Sequence, residues 1–214
     1  MLRTALFTIA LLALTAGQAG AMQFSTILNG LVLFGEGAVI PGDAQRLRQA
    51  LIGMPEDEAG MKYLALSSEG GDVAEAYRVA AVIDQVGVVT LIPNNAACVS
   101  ACSLIWIAGD HRLMGATATL GFHSCHDAVT REPLDRCNDE MATFAMRQGI
   151  AYGTIAAFTT LVSPDGMLVL DKTQADCWEL TKYPPHKTPE NYGKCLAELF
   201  RDAAAEYNRK HGSR

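Results

Sequence analysis

Three short stretches carry residues able to do chemistry together. The first is Ser100, in "NNAACVSACSLIWIAG". It stands where a strand-like segment hands over to an apolar, helix-like one. A serine there has its hydroxyl near the positive end of a helix, which suits a nucleophile. The same place suits a purely structural N-cap. The second is His123, which closes "TATLGFH". An imidazole titrates near ~6.5 and serves as a base at neutral pH. A strand-end histidine can equally be plain surface, and His126 competes from the adjoining loop. The third is Gly70-Gly71, in "SEGGD". Paired glycines permit backbone angles closed to other residues. Bare N–H groups at a helix start point at anions, as an oxyanion hole requires. A tight turn without function has the same composition. Taken singly, each stretch favours the structural explanation.

The elements around these stretches give them a common setting. Strands are expected over 30–36, 61–68, 87–92 and 117–123. Helices are expected over 41–52, 73–86, 100–108 and 132–161, the last ended by Pro164, with a final helix over about 189–208. Alternating strands and helices imply an α/β fold with buried strands covered by helices. In such folds functional groups gather at the carboxyl ends of strands. Gly70-Gly71, Ser100 and His123 all fall at such ends.

Their order is more specific than any one of them. The run from "LALSSEGGDVAEAYRVAAVIDQ" through "NNAACVSACSLIWIAGDHRLMGATATLGFHS" resembles the proteolytic subunit of the Clp protease and its crotonase-like relatives. The resemblance covers roughly residues 28–181 and is specific only between 64 and 124. It implies a ClpP/crotonase-like α/β fold of repeated β-β-α units with buried strands flanked by helices. Ser68-Glu69-Gly70-Gly71, Ser100, Ala108-Gly109, Arg112 and His123 stand in the family's order. Residue by residue, it implies Ser100 as nucleophile and His123 as general base. Gly71 and Ala101 would offer backbone N–H groups to the oxyanion. The chemistry would be acyl transfer through an acyl-enzyme, ending in peptide hydrolysis.

Two departures stand out. Glu69 replaces the family's proline and puts a carboxylate beside the proposed oxyanion site, so it should point outward. The acid of the triad has no clear counterpart: strict alignment lands on Met167. Asp165, two residues earlier, is the candidate, ahead of Asp171 and Asp127. A serine–lysine dyad is a further reading, with Lys172 approaching from the later segment.

The first residues bear on the cysteines. Arg3, the apolar "ALFTIALLALTA" and the small residues ending at Ala21 read as a signal peptide over 1–21. Residues 22–214 then form a single domain with a C-terminal helical extension, periplasmic or secreted. In an oxidising compartment, an even cysteine count suggests disulfides. No Cys-x-x-Cys or His-x-x-x-His occurs, so a metal site is not expected. Six cysteines allow fifteen connectivities. The local set is preferred: Cys98–Cys102, Cys125–Cys137 and Cys177–Cys195. A four-residue spacing across a turn can bring α-carbons within ~4.4–6.8 Å, so the first pair would bracket Ser100.

The net charge is −6, with no basic footprint for nucleic acid. No second long apolar segment follows the first, so no membrane span is expected after cleavage. Export removes coenzyme A, and no cofactor is expected. It also removes ATP, so no Clp ATPase partner is expected, and the substrate would be a peptide or an unfolded protein. The chain should be a small homo-oligomer or a monomer. The competing expectation is a non-catalytic periplasmic binding or scaffold protein that keeps the fold.

Overall fold

In the computed structural model, the described residues are 20–127, 129–162, 165–184, 188–190, 192–195, 197 and 201. Residues 1–19 of the expected signal peptide over 1–21, and most of the residues of the expected final helix, lie outside them. At the start of the described residues, Gly20 O accepts from Ala38 N–H, Ala21 bridges Ala38, and Met22 is fully buried.

Two sheets meet at the site. The larger has the order β1 (Gln23–Ile27), β2 (Val32–Glu36), β3 (Lys62–Ser67), β4 (Val88–Ile92), β6 (Arg112–Met114). Its strands are parallel from β2 onward, and β1 runs antiparallel at the edge. The smaller has β7 (Thr119–Phe122) at its centre, parallel to β5 (Ala97–Val99) and antiparallel to β8 (Leu168–Leu170). A parallel bridge between Ser68 and Cys98 ties the end of β3 to β5. Both chemically interesting turns therefore start from one seam.

The parallel strands are apolar because helices cover them. Leu64, Ala65 and Leu66 of β3 are fully buried. α1 (Asp43–Leu51) packs on α2 (Val73–Val86), and α2 packs on α3 (Ala101–Ile107). α2 starts at Asp72, whose carboxylate caps Glu75 N–H at 2.6 Å. It ends at Gly87, whose φ of 72° is the left-handed stop that glycine permits. Every residue of α3 is buried, so this helix is core on all sides.

The long helix expected over 132–161 is two helices, α4 (Asp135–Arg147) and α5 (Tyr152–Leu161). The break is a Schellman motif. Gly149 takes φ 81°, its N–H reaches Met146 O at 3.1 Å, and Ile150 N–H reaches Ala145 O at 3.0 Å. Ile150 is buried, which anchors the turn. The strands β1, β5, β6 and β8 and the helix α6 (Lys172–Cys177) are absent from the sequence expectation. Three of those strands have three residues each, too few for a period to show.

The structure holds three disulfides. Cys98–Cys102 spans 5.2 Å between α-carbons, Cys125–Cys137 5.8 Å and Cys177–Cys195 4.8 Å.

Candidate active site

Ser100 sits on the sharp turn from β5 into α3. Its backbone has φ 57° and ψ −130°, a conformation costly for a residue with a Cβ and persistent only when its surroundings impose it. The surroundings do. Ser100 N–H bonds Gly121 O of β7 at 3.0 Å. Ser103 Oγ bonds the same carbonyl at 2.5 Å. Cys98 and Cys102, both fully buried, close the turn from its two sides. The side chain is free of capping duty: Ser100 occupies the N-cap position yet makes no cap hydrogen bond.

Its hydroxyl goes to the imidazole instead. Ser100 Oγ lies 2.6 Å from His123 Nε2. His123 Nδ1 lies 2.8 Å from Ser124 O. A carbonyl only accepts, so Nδ1 must carry the proton. Nε2 of the neutral ring is then left to accept from the serine hydroxyl. Burial, with the neighbouring His126 and Arg131 adding to it, lowers the His123 pKa below its usual value; the Ser124 carbonyl opposes them. A neutral imidazole held against a hydroxyl can take its proton.

Gly70 makes the approach of the two turns possible. A Cβ there would lie 2.7 Å from Ser100 Cβ and 2.9 Å from Ala101 N, and its φ is 95°. Gly70 N–H is taken by Ser68 Oγ at 3.1 Å. The N–H groups of Gly71 and Ala101 have no hydrogen-bond partner among the described residues. Two donors are therefore unspent, one on Ala101 beside the serine and one on Gly71 beside Gly70, and such donors are what an oxyanion hole requires. Glu69 is exposed, away from the interior of the turn.

The third member of the sequence expectation is corrected. Asp165 is exposed and pairs with Arg131 at 2.9 Å. Arg131 also meets His126 Nε2. Among the described residues no carboxylate bonds His123. Asp171 caps α6 in a capping box with Gln174, and Asp127 organises its own loop by accepting from Val129 and Thr130 N–H. Lys172 pairs with Asp176 at 2.6 Å and covers the Tyr183 ring, so the serine–lysine arrangement is not formed. Met167, where the resemblance places the acid, stands near β7: a Cβ on Gly121 would meet its Sδ at 3.0 Å. Arg112 is buried, and Leu180 O, Ile107 O and Gln148 O accept from its guanidinium, so this cation is spent on main-chain carbonyls.

Sequence reasoning missed two contributors, Ser124 and Asn138. Ser124 acts through its carbonyl, which every residue has, so no signal was available. Asn138 Oδ1 accepts Cys125 N–H at 2.7 Å and, with the Cys125–Cys137 bond, fixes the segment that carries that carbonyl. The glycine that touches the serine is Gly70, while Gly71 lies against Val39 O. A small hollow of about 20 Å³ opens beside the pair, lined by Val73, Leu104, Phe122 and Met141. It has room for about one water.

No protein-family model matches the sequence, and no curated protein matches it. Solved structures do match in fold. A mutant of ClpP1 from Listeria monocytogenes superposes with a TM-score of 0.57 at 15% identity, over 72% of this chain and 90% of that one. A mutant of the membrane-bound stomatin-specific protease 1510-N superposes with a TM-score of 0.56 at 15% identity, over 69% of this chain and 75% of that one. The chain has the ClpP-like α/β fold. No helix among the described residues is long and apolar enough to cross a membrane.

Proposed function

We propose that the chain is an exported serine hydrolase of peptidase type that works through an acyl-enzyme on Ser100. The observation that carries this is the 2.6 Å contact between Ser100 Oγ and His123 Nε2 on a serine whose backbone is held at φ 57°. His123 Nε2 takes the hydroxyl proton as Oγ attacks the substrate carbonyl. The N–H groups of Gly71 and Ala101 receive the oxyanion. His123 then passes the proton to the leaving amine, and water, deprotonated by the same nitrogen, releases the acid. The Ser124 carbonyl does the orienting that an aspartate does in a triad: it holds the Nδ1 proton. It carries no full charge, so it stabilises the imidazolium less, and modest turnover on peptides or unfolded chains is expected. One of the two fold neighbours is described as a protease, which supports the peptidase reading. Six cysteines paired in three disulfides support a chain that matures in an oxidising compartment.

The test is labelling of purified mature protein by a fluorophosphonate probe, beside Ser100→Ala and His123→Ala. Labelling should be lost in the first and slowed about 10²–10⁴-fold in the second. A folded protein that takes no label at neutral pH refutes the hydrolase. That outcome would leave standing the alternative, a non-catalytic periplasmic binding or scaffold protein.

A further inference from the structure

The hollow beside Ser100 and His123 is too small to hold a large side chain, so most of a substrate must be gripped elsewhere. A groove of about 620 Å³ lies between α4 and α5, within the size range of small-ligand sites. Ser124 is shared between the two places. Its carbonyl holds the His123 ring, and the residue also lines the groove.

The lining has one sign of charge. Asp135 and Asp139, one turn apart on α4, both contribute to it, and no cationic side chain among the described residues lines it. The Asp135 carboxylate has no hydrogen bond or ion pair among the described residues. Tyr152 OH donates to Asp139 Oδ1 at 2.6 Å and leaves Oδ2 open. Ser124 is only 3% exposed, and its Oγ is buried without a partner, an unmet hydrogen bond that a bound ligand would satisfy. Pro133, Ala156 and Val162 give the same groove an apolar stretch. An apolar wall ending at carboxylates suits a side chain with a hydrocarbon stem and a cationic head.

We infer that the α4–α5 groove is a subsite for a lysine or arginine side chain of the peptide substrate, with Asp135 and Asp139 as counter-charges and Ser124 Oγ as a polar contact. This deepens the hydrolase reading and rests on it for the word substrate; binding in the groove does not depend on turnover. The groove rather than the hollow then supplies the selectivity, since binding energy away from the reacting bond positions the bond.

The experiment measures binding to Ser100→Ala protein by fluorescence anisotropy. The probes are fluorescein-labelled alanine hexapeptides carrying one lysine, norleucine or glutamate, scanned through each position. At the best position, lysine should bind about fivefold tighter than norleucine, the upper range for an exposed ion pair, and glutamate weaker than both. The lysine preference should shrink on raising salt and vanish in Asp135→Asn/Asp139→Asn. Equal affinity for the three residues at every position overturns the proposal, as does a preference that survives the double substitution. Fluorophosphonate labelling of the unsubstituted protein separates the two readings. Labelling with no lysine preference overturns the groove alone. A lysine preference with no labelling upholds the groove and overturns the hydrolase.

Discussion

The serine and the histidine touch, yet they are held by opposite kinds of structure. The turn carrying Ser100 is set in the core: Cys98, Ala101, Cys102 and all of α3 are buried, and the strand beneath is paired on β7. His123 is half-buried and leads into a segment held by local ties: the Ser124 carbonyl, the Asn138 side chain, the Cys125–Cys137 bond and the exposed Arg131–Asp165 pair. A strained turn needs dense packing to persist. An imidazole in the role proposed for His123 needs only its ring orientation fixed, which one carbonyl and a tethered loop accomplish. Damage on the serine side should therefore reach the fold, whereas damage on the histidine side should reach chemistry first.

Gly70→Ala attacks the dense side where it is tightest. The new Cβ would collide with Ser100 Cβ and the backbone at Val99 O and Ala101 N, at a positive φ. A loss of about 3 kcal/mol or more is expected in urea unfolding, overpacking adding to backbone strain, together with loss of probe labelling. A variant of normal stability would show that the two turns are not packed as described.

Removing the Cys98–Cys102 bond by the double alanine substitution is next. Closing so short a loop is worth roughly 2 kcal/mol in the chain-entropy account, or a fall of about 4–8 °C in Tm for a domain of this size. Labelling should fall more than the fraction unfolded explains, because the bond brackets Ser100. Unchanged labelling in the folded fraction would mean that packing alone sets the turn.

The histidine side answers to pH. Its pKa is lowered chiefly by burial, and in the proposed mechanism the neutral ring is the base, so the labelling rate should rise with pH through a midpoint below ~6.5. The linkage has a definite sign. The folded protein binds this proton less readily than the unfolded chain, so stability is fully present above ~6.5 and declines as pH falls through that value toward the folded pKa. A midpoint above 6.5 would contradict the buried, neutral imidazole.

The smallest effect is expected from Asp165→Asn. The exposed pair with Arg131 is worth about 0–1 kcal/mol, and Asp165 does not touch His123. Its labelling midpoint should stay where it is. A loss of 10³-fold or more would restore Asp165 as the orienting acid through a movement of its loop.

Much of this site was legible in the sequence. Ser100, His123 and the glycine pair lie at strand ends, and their order along the chain marks them. The acid was not legible, because whether Asp165 reaches an imidazole 42 positions earlier depends on where a loop lies. The break between α4 and α5 was missed because apolar spacing runs on through Gly149, and one glycine inside a periodic segment does not announce a Schellman turn. The groove those two helices form was therefore hidden as well.

By itself the sequence determined the alternation of strands and helices, the glycine turn, the positions of serine and histidine and the local cysteine spacing. These depend on interactions within a few residues, which periodicity and turn chemistry report. Only the tertiary structure decided that Ser100 Oγ meets His123 and that a main-chain carbonyl holds the ring. It also decided that Asp165 is spent on Arg131 and that Ser124 opens onto an acidic groove. Those outcomes turn on distances between segments far apart in the chain, and on backbone atoms that every residue shares.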